Sequence, residues 1–327
     1  MYEYFRLKQL RNVYSRQGWI LMVYYGILNT AVMLVMFAEA FAQAFGTALS
    51  GGEVDVDQVV EAISADSGWG YFLAIGVGLL ILLLTKKPRY FAQTLWTPGK
   101  PMKASSFFAL MAIFISAQFG VQLLSNLMEL AANMFGYSMM QTMEATSGAT
   151  NSFSMFLYVS LGAPISEEIL FRGVLLRNMQ PYGKKFAIFA SSLLFGLYHG
   201  NLVQIPFAFV VGLVLAYVTV EYNIGWAIVM HMFNNLILSD TITRLMAPLG
   251  MPWADLWFWI LIVGCSIATV VILVVNRKRI KLWLRQYRDD PLCARAFWSA
   301  PGIITLTVVL SVLTLLSTAL LLTPIAS

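Results

Sequence analysis

Apolar runs of about 18 residues or more, the length that crosses a bilayer, recur along this 327-residue chain. A soluble domain carries about 25% charged residues; here the share is 11%, with 59% hydrophobic residues and a mean hydropathy of +0.74. The composition excludes a soluble globular domain and predicts an all-α, polytopic integral membrane helical bundle of about eight or nine spans. The runs fall at roughly 18–45, 69–85, 105–135, 152–179, 185–199, 202–221, 224–239, 254–275 and 301–323. The fifth and seventh are short, as suits helices enclosed by others. No internal repeat of the transporter kind is visible. The organisation expected is an N-terminal helical part (1–150), a central part carrying the chemistry (152–240) and C-terminal helices with a basic loop (241–327).

Positive charge sorts the connections. Arg6, Lys8, Arg11 and Arg16 precede the first run, and Lys86, Lys87, Arg89, Lys100 and Lys103 follow the second. Arg177, Lys184 and Lys185 follow the fourth, and a cluster from Arg277 to Arg295 follows the eighth. An N-terminus on the cytoplasmic side puts all of these inside. It leaves the acidic loop 51–68 outside, with Arg244 the one basic residue of an outer loop. This pattern fits a bacterial cytoplasmic membrane, and no cleavable signal peptide is expected. The net charge of +5 sits beside the membrane and meets anionic lipid, not nucleic acid. The stretch 139–153 reads as a polar connector. The stretch 277–290, basic residues alternating with Ile280, Leu282, Trp283, Leu284 and Tyr287, reads as an interfacial helix or a cytosolic linker. Cys265 and Cys293 have no metal-type spacing and carry no expected role.

Within this apolar chain, "APISEEILFRGVLL" (163–176) places Glu167, Glu168 and Arg172 inside one run. Each costs about 2.5–3.5 kcal/mol at a bilayer centre, so all must face protein or water. Glu168 and Arg172 stand four apart with the glutamate first, the favourable order for a helical pair. Glu167, five from Arg172, points elsewhere and is left for another task. Pro164 lacks an amide donor and should kink or open the helix beside them.

The chain has two histidines, His199 and His231, and both fall in predicted intramembrane helices. Asn235 follows His231 by four residues, on the same helical face. At ~1.5 Å per residue, Glu167, His199 and His231 lie ~18, ~21 and ~13 Å from the cytoplasmic ends of their helices. Three helices of alternating direction therefore bring these groups to a similar level. A glutamate and a histidine flanking water perform general acid–base chemistry. A second histidine and an amide can donate to the oxyanion of a tetrahedral intermediate. No serine or cysteine nucleophile stands in a comparable setting, so activated water is preferred over an acyl-enzyme.

"EEILFR" (167–172), "FGLYH" (195–199) and "HMFNN" (231–235) resemble the three motifs E-E-x-x-x-R, F-x-x-x-H and H-x-x-x-N of the CAAX prenyl protease and bacteriocin-processing family, also called Abi, of intramembrane proteases. Order and spacing agree across roughly residues 152–240. The resemblance implies an intramembrane endopeptidase acting on a membrane-associated peptide or protein. It implies that Glu167 and His199 activate water, that His231 and Asn235 stabilise the oxyanion, and that Glu168 and Arg172 support the site with Phe195 packed nearby. The family has been described both as glutamate and as metalloproteases. A zinc site is numerically possible from Glu167, His199 and His231, but the H-E-x-x-H spacing of common zinc proteases is missing, and the metal-free reading is preferred. Bacterial relatives are linked to peptide maturation, bacteriocin immunity and membrane signalling. The alternative from another class is a non-enzymatic membrane protein, either a proton-coupled transporter or a scaffold.

Overall fold

The first apolar run is the middle of a longer helix. In a computed structural model, which describes residues 1–55, 59, 68–86, 89–147, 152–236 and 251–325, α1 is one 48-residue helix, Tyr2–Leu49. Its basic start is therefore not a preceding tail. Leu10, Tyr14, Gln17, Gly18 and Leu21 recur at helical spacing and are buried, which gives this end a face to dock with. That face meets the last part of the chain, α12 (Cys293–Trp298) and α13 (Pro301–Leu321). Arg11 Nε donates to the Ser299 carbonyl (3.1 Å), and the Gly302 amide donates to Ser15 Oγ (2.9 Å). Gly18 and Gly302 let the two backbones touch; a Cβ at Gly18 would run into the Gly302 carbonyl.

The remaining helices are α2 (Gly68–Thr85), α3 (Ala104–Met134), α4 (Met140–Ser147), α5 (Phe153–Leu157), α6 (Ala163–Glu167), α7 (Arg177–Met179), α8 (Lys184–Tyr198), α9 (Gln204–Glu221), α10 (Ile224–Asn234) and α11 (Met251–Gln286). Between α5 and α7 the chain stays helical through two π segments, Tyr158–Gly162 and Glu168–Leu176. A minimal antiparallel pair, Tyr137–Ser138 with Thr323–Pro324, is the one sheet among the described residues. Five helices among those residues are long and apolar enough to cross a membrane: α1, α3, α9, α11 and α13. Gly68–Leu84 and Ile224–Asn234 are shorter apolar helices. Where eight or nine spans are expected, five helices of the described residues reach the length of a full crossing, beside shorter and π-interrupted ones. Of the latter, α8 buries nine of its residues, from Ala187 to Tyr198.

Two connections differ from expectation. The polar stretch 139–153 includes α4, and Asn201 ties it down by donating to the Thr142 carbonyl (3.1 Å). The basic stretch 277–290 is neither a separate interfacial helix nor a linker. Through Gln286 it continues α11, because no glycine or proline stands between Gly264 and Pro291 and Arg, Lys, Leu and Gln all favour helix. Trp283 on that extension donates to Glu221 Oε1 (2.8 Å).

The segments that charge assigns to one side do meet at one end of the bundle. Arg6 pairs with Asp290 (2.7 Å), and the Asp290 amide donates to the Tyr182 carbonyl (3.1 Å). Asp289 accepts from the Lys185 amide (3.0 Å), and Lys100 pairs with Glu221 (2.6 Å). Lys87, Asp57, Glu61, Asp66 and Arg244 lie outside the described residues. The glycine contact makes a direct prediction. Gly18→Val should force α1 and α13 apart, cost about 1–3 kcal/mol and lower both the melting temperature in detergent and the yield of folded protein; Gly26→Val, with open space around it, is the control.

Candidate active site

Pro164 organises the first motif. Ser152 caps α5, its Oγ accepting from the Met155 amide (3.2 Å). In the π segment that follows, the Ala163 amide bonds back five residues to the Tyr158 carbonyl. The next amide in that register would belong to residue 164, a proline with no hydrogen to donate. The backbone is opened here by a π segment, a common way for a helix to absorb such a break. The carbonyl that the missing amide would have used, that of Val159, accepts instead from Asn235 Nδ2 at 2.9 Å. Asn234 Nδ2 donates to Asn235 Oδ1 (3.1 Å), so both ends of the Asn235 amide group are oriented.

One turn on, Glu168 and Arg172 pair as their spacing predicts. Arg172 donates from Nη1 to Glu168 Oε1 (2.9 Å), and both side chains are fully buried. Arg172 also donates from Nη2 to the Gly212 carbonyl on α9 (3.2 Å) and lies 4.2 Å over the Phe195 ring. Gly212 is needed for this approach, since a Cβ there would crowd Ser192 and Phe195. The sequence reading missed the second partner of Glu168: His231 Nδ1 lies 3.0 Å from the same Oε1. A carboxylate accepts, so Nδ1 carries the hydrogen. The available signal was chemical, because a buried histidine needs an acceptor to hold its ring.

His199 is held in a matching way. Helix α8 ends at Tyr198, and Gly200, at φ +62°, turns the chain immediately after His199. Its Nδ1 lies 2.8 Å from the Phe195 carbonyl, which can only accept, so Nε2 is the unprotonated nitrogen of the neutral ring. Phe195 stands between the two imidazoles, edge-on to His199 at 4.8 Å and to His231 at 5.9 Å between ring centres. The expected packing role of Phe195 has this concrete form: one ring supports Arg172, His199 and His231.

Glu167 lies outside the Glu168–Arg172 pair but beside His231. Its Oε2 lies 3.8 Å from His231 Nε2, and 17% of its side chain is exposed. Glu167, His199, His231 and Asn235 line one cavity of about 390 Å³. The sequence reading did not anticipate its other polar walls, Asn234, Gln204, Asn29, Tyr158 and Tyr198. Among the described residues no three His, Cys, Asp or Glu side chains form a metal-holding group.

Residues 149–237, which include every residue of the three motifs, match the family Type II CAAX prenyl endopeptidase Rce1-like. The chain carries an Rce1-like domain. That family is one of CAAX-type intramembrane proteases, and the apolar helices around the domain agree with a membrane setting. No curated protein and no solved structure matches the chain.

Two predictions test the supports of this domain. Arg172→Ala strands Glu168 in a buried site and should cost about 3–5 kcal/mol, seen as loss of folded protein from the membrane fraction. Arg172→Lys keeps the charge but loses the fork that reaches Gly212, and should fall between the two. Pro164→Ala restores an amide that competes with Asn235 for the Val159 carbonyl. It should leave the melting temperature within a few degrees of wild type while slowing peptide hydrolysis, by up to about 100-fold if Asn235 shifts by 1 Å.

Proposed function

We propose that this cavity is the active site of an endopeptidase that hydrolyses a membrane-associated peptide or protein with water activated by Glu167 and His199. The observation that carries the reading is the convergence of Glu167, His199, His231 and Asn235 on one cavity, with each imidazole oriented through its Nδ1. Glu167 accepts a proton from water as the water oxygen attacks the scissile carbonyl carbon. His199 Nε2 shares that proton. Negative charge then develops on the carbonyl oxygen, facing His231 and Asn235. The Asn235 amide nitrogen carries two hydrogens, one of them committed to Val159. His231 can donate from Nε2 only as an imidazolium, and the Glu168 carboxylate at 3.0 Å would balance that charge while the proton from water is held by Glu167 and His199. Collapse of the intermediate breaks the C–N bond, and the departing nitrogen takes the proton held by Glu167 and His199. The products are a carboxylate and an amine. Glu168, shared by Arg172 and His231, keeps one of the two oxyanion donors in place. The basic end of the bundle faces the cytoplasm of a bacterial cell in this reading, with the N-terminus inside.

Turnover of a labelled membrane peptide by purified protein tests the assignment. Glu167→Gln keeps shape but cannot accept a proton from water, and should slow hydrolysis severely, to a small residual rate. Asn235→Ala should slow it by about 100–1000-fold. The Glu167→Gln/His199→Ala double variant should be hardly slower than either single variant, since groups that act as a unit lose activity non-additively. Hydrolysis by Glu167→Gln at the wild-type rate would show that this carboxylate is not the base.

A further inference from the structure

A second cavity lies apart from the one that holds the motifs. A groove of about 520 Å³ runs between α1 and α2 and shares no lining residue with the candidate active site, although Tyr24 lines the one and Tyr25 the other. Its walls are apolar: Trp19, Val23 and Ile27 from α1 face Ile81 and Leu82 from α2, with Gly78 leaving room beside the Tyr24 ring. Its end is different. Arg16 and Lys86 both line it there, next to Asn12 and Ser15.

Among the described residues no carboxylate pairs with Arg16 or Lys86. The Lys86 ammonium lies 4.6 Å over the Tyr90 ring, a contact that holds it without cancelling its charge. The two cations share the lining of one cavity; burial lowers the Lys86 pKa, and the like charge of Arg16 lowers it further. They belong to the basic end of the bundle, where Arg6 and Arg11 of the same helix are engaged by Asp290 and Ser299. From Arg16 to Ile27, α1 rises ~16 Å at ~1.5 Å per residue, about half of a ~30 Å hydrocarbon core. Trp19, 45% exposed at the rim, is the kind of residue that sits at the level of lipid headgroups.

We propose that this groove binds one anionic phospholipid, its phosphate between Arg16 and Lys86 and one acyl chain along the slot toward Ile27. A soluble anion would neutralise the two cations and leave the apolar slot unfilled. A lipid without net charge would fill the slot and leave the cations uncompensated. An anionic lipid does both, and the slot is as deep as one leaflet.

Native mass spectrometry of the full chain in detergent, titrated with phosphatidylglycerol or with phosphatidylcholine of the same chains, tests this. Wild type should retain one phosphatidylglycerol in preference to phosphatidylcholine. The Arg16→Gln/Lys86→Gln double variant should bind phosphatidylglycerol about 30-fold more weakly, from about fivefold for each charge. Val23→Trp should also weaken binding with both cations intact, because it narrows the slot. Glycerol 3-phosphate, which offers the phosphate without the chains, should not displace the lipid at equal concentration. Equal retention of the two lipids by wild type, undiminished phosphatidylglycerol binding by the double variant, or displacement by glycerol 3-phosphate would each overturn the proposal. Should the double variant not be recovered folded, the exposed Arg16→Gln change alone is expected to cost about fivefold, and no change there would overturn it equally.

Discussion

A fully buried arginine in a membrane protein is tolerable only if its charge is met, and the centre of this molecule is arranged around the Arg172 guanidinium, whose two terminal nitrogens find acceptors while Nε finds none among the described residues. Desolvating an ion of this size costs several kcal/mol even after relaxation. Glu168 supplies the opposite charge at 2.9 Å, the Gly212 carbonyl supplies an acceptor on α9, and the face of Phe195 covers the guanidinium from α8. Three separate stretches of chain must be in register for this to hold. The same carboxylate oxygen then receives His231 of α10. The interaction that makes the core admissible thus also orients a residue of the candidate site, so stability and chemistry share one atom.

The second organising element is a proline that does more than interrupt a helix. Where Pro164 removes an amide, the chain adopts a π segment, and the Val159 carbonyl is released to a side chain from another helix. Backbone polar groups inside a membrane must be satisfied within the protein. A missing donor in one helix is therefore a demand that a neighbouring helix can answer, and Asn235 answers it. The break and the asparagine are two halves of one hydrogen-bond account.

Charge divides the molecule along its length. One end gathers Arg6, Lys100, Lys184 and Lys185 around Asp289, Asp290 and Glu221. What sets Arg16 and Lys86 apart at that end is that both line the mouth of an apolar groove. The candidate active site lies away from this end, in a separate cavity whose polar lining is bounded by Phe114, Phe207 and other apolar side chains.

Much of this was legible in the residues alone, for reasons of cost. An apolar chain with 11% charge must be helical in lipid, and Glu167, Glu168, Arg172, His199 and His231 are too expensive there to be casual. Helical spacing paired Glu168 with Arg172 and set Glu167 apart, because contacts within one turn depend only on local geometry. The likeness of the motifs to a protease family was likewise local, and residues 149–237 match an Rce1-like family. What the sequence could not determine were the bonds between helices: Glu168 to His231, Asn235 to Val159, Arg172 to Gly212 and Phe195. Each joins residues 23 to 76 positions apart, at distances set by how whole helices pack rather than by anything periodic along the chain. The extensions of α1 and α11 beyond their apolar runs have the same origin. The basic residues dilute the apolar signal there, and although the segment favours helix, its docking against α12, α13 and Glu221 marks how far the helix runs.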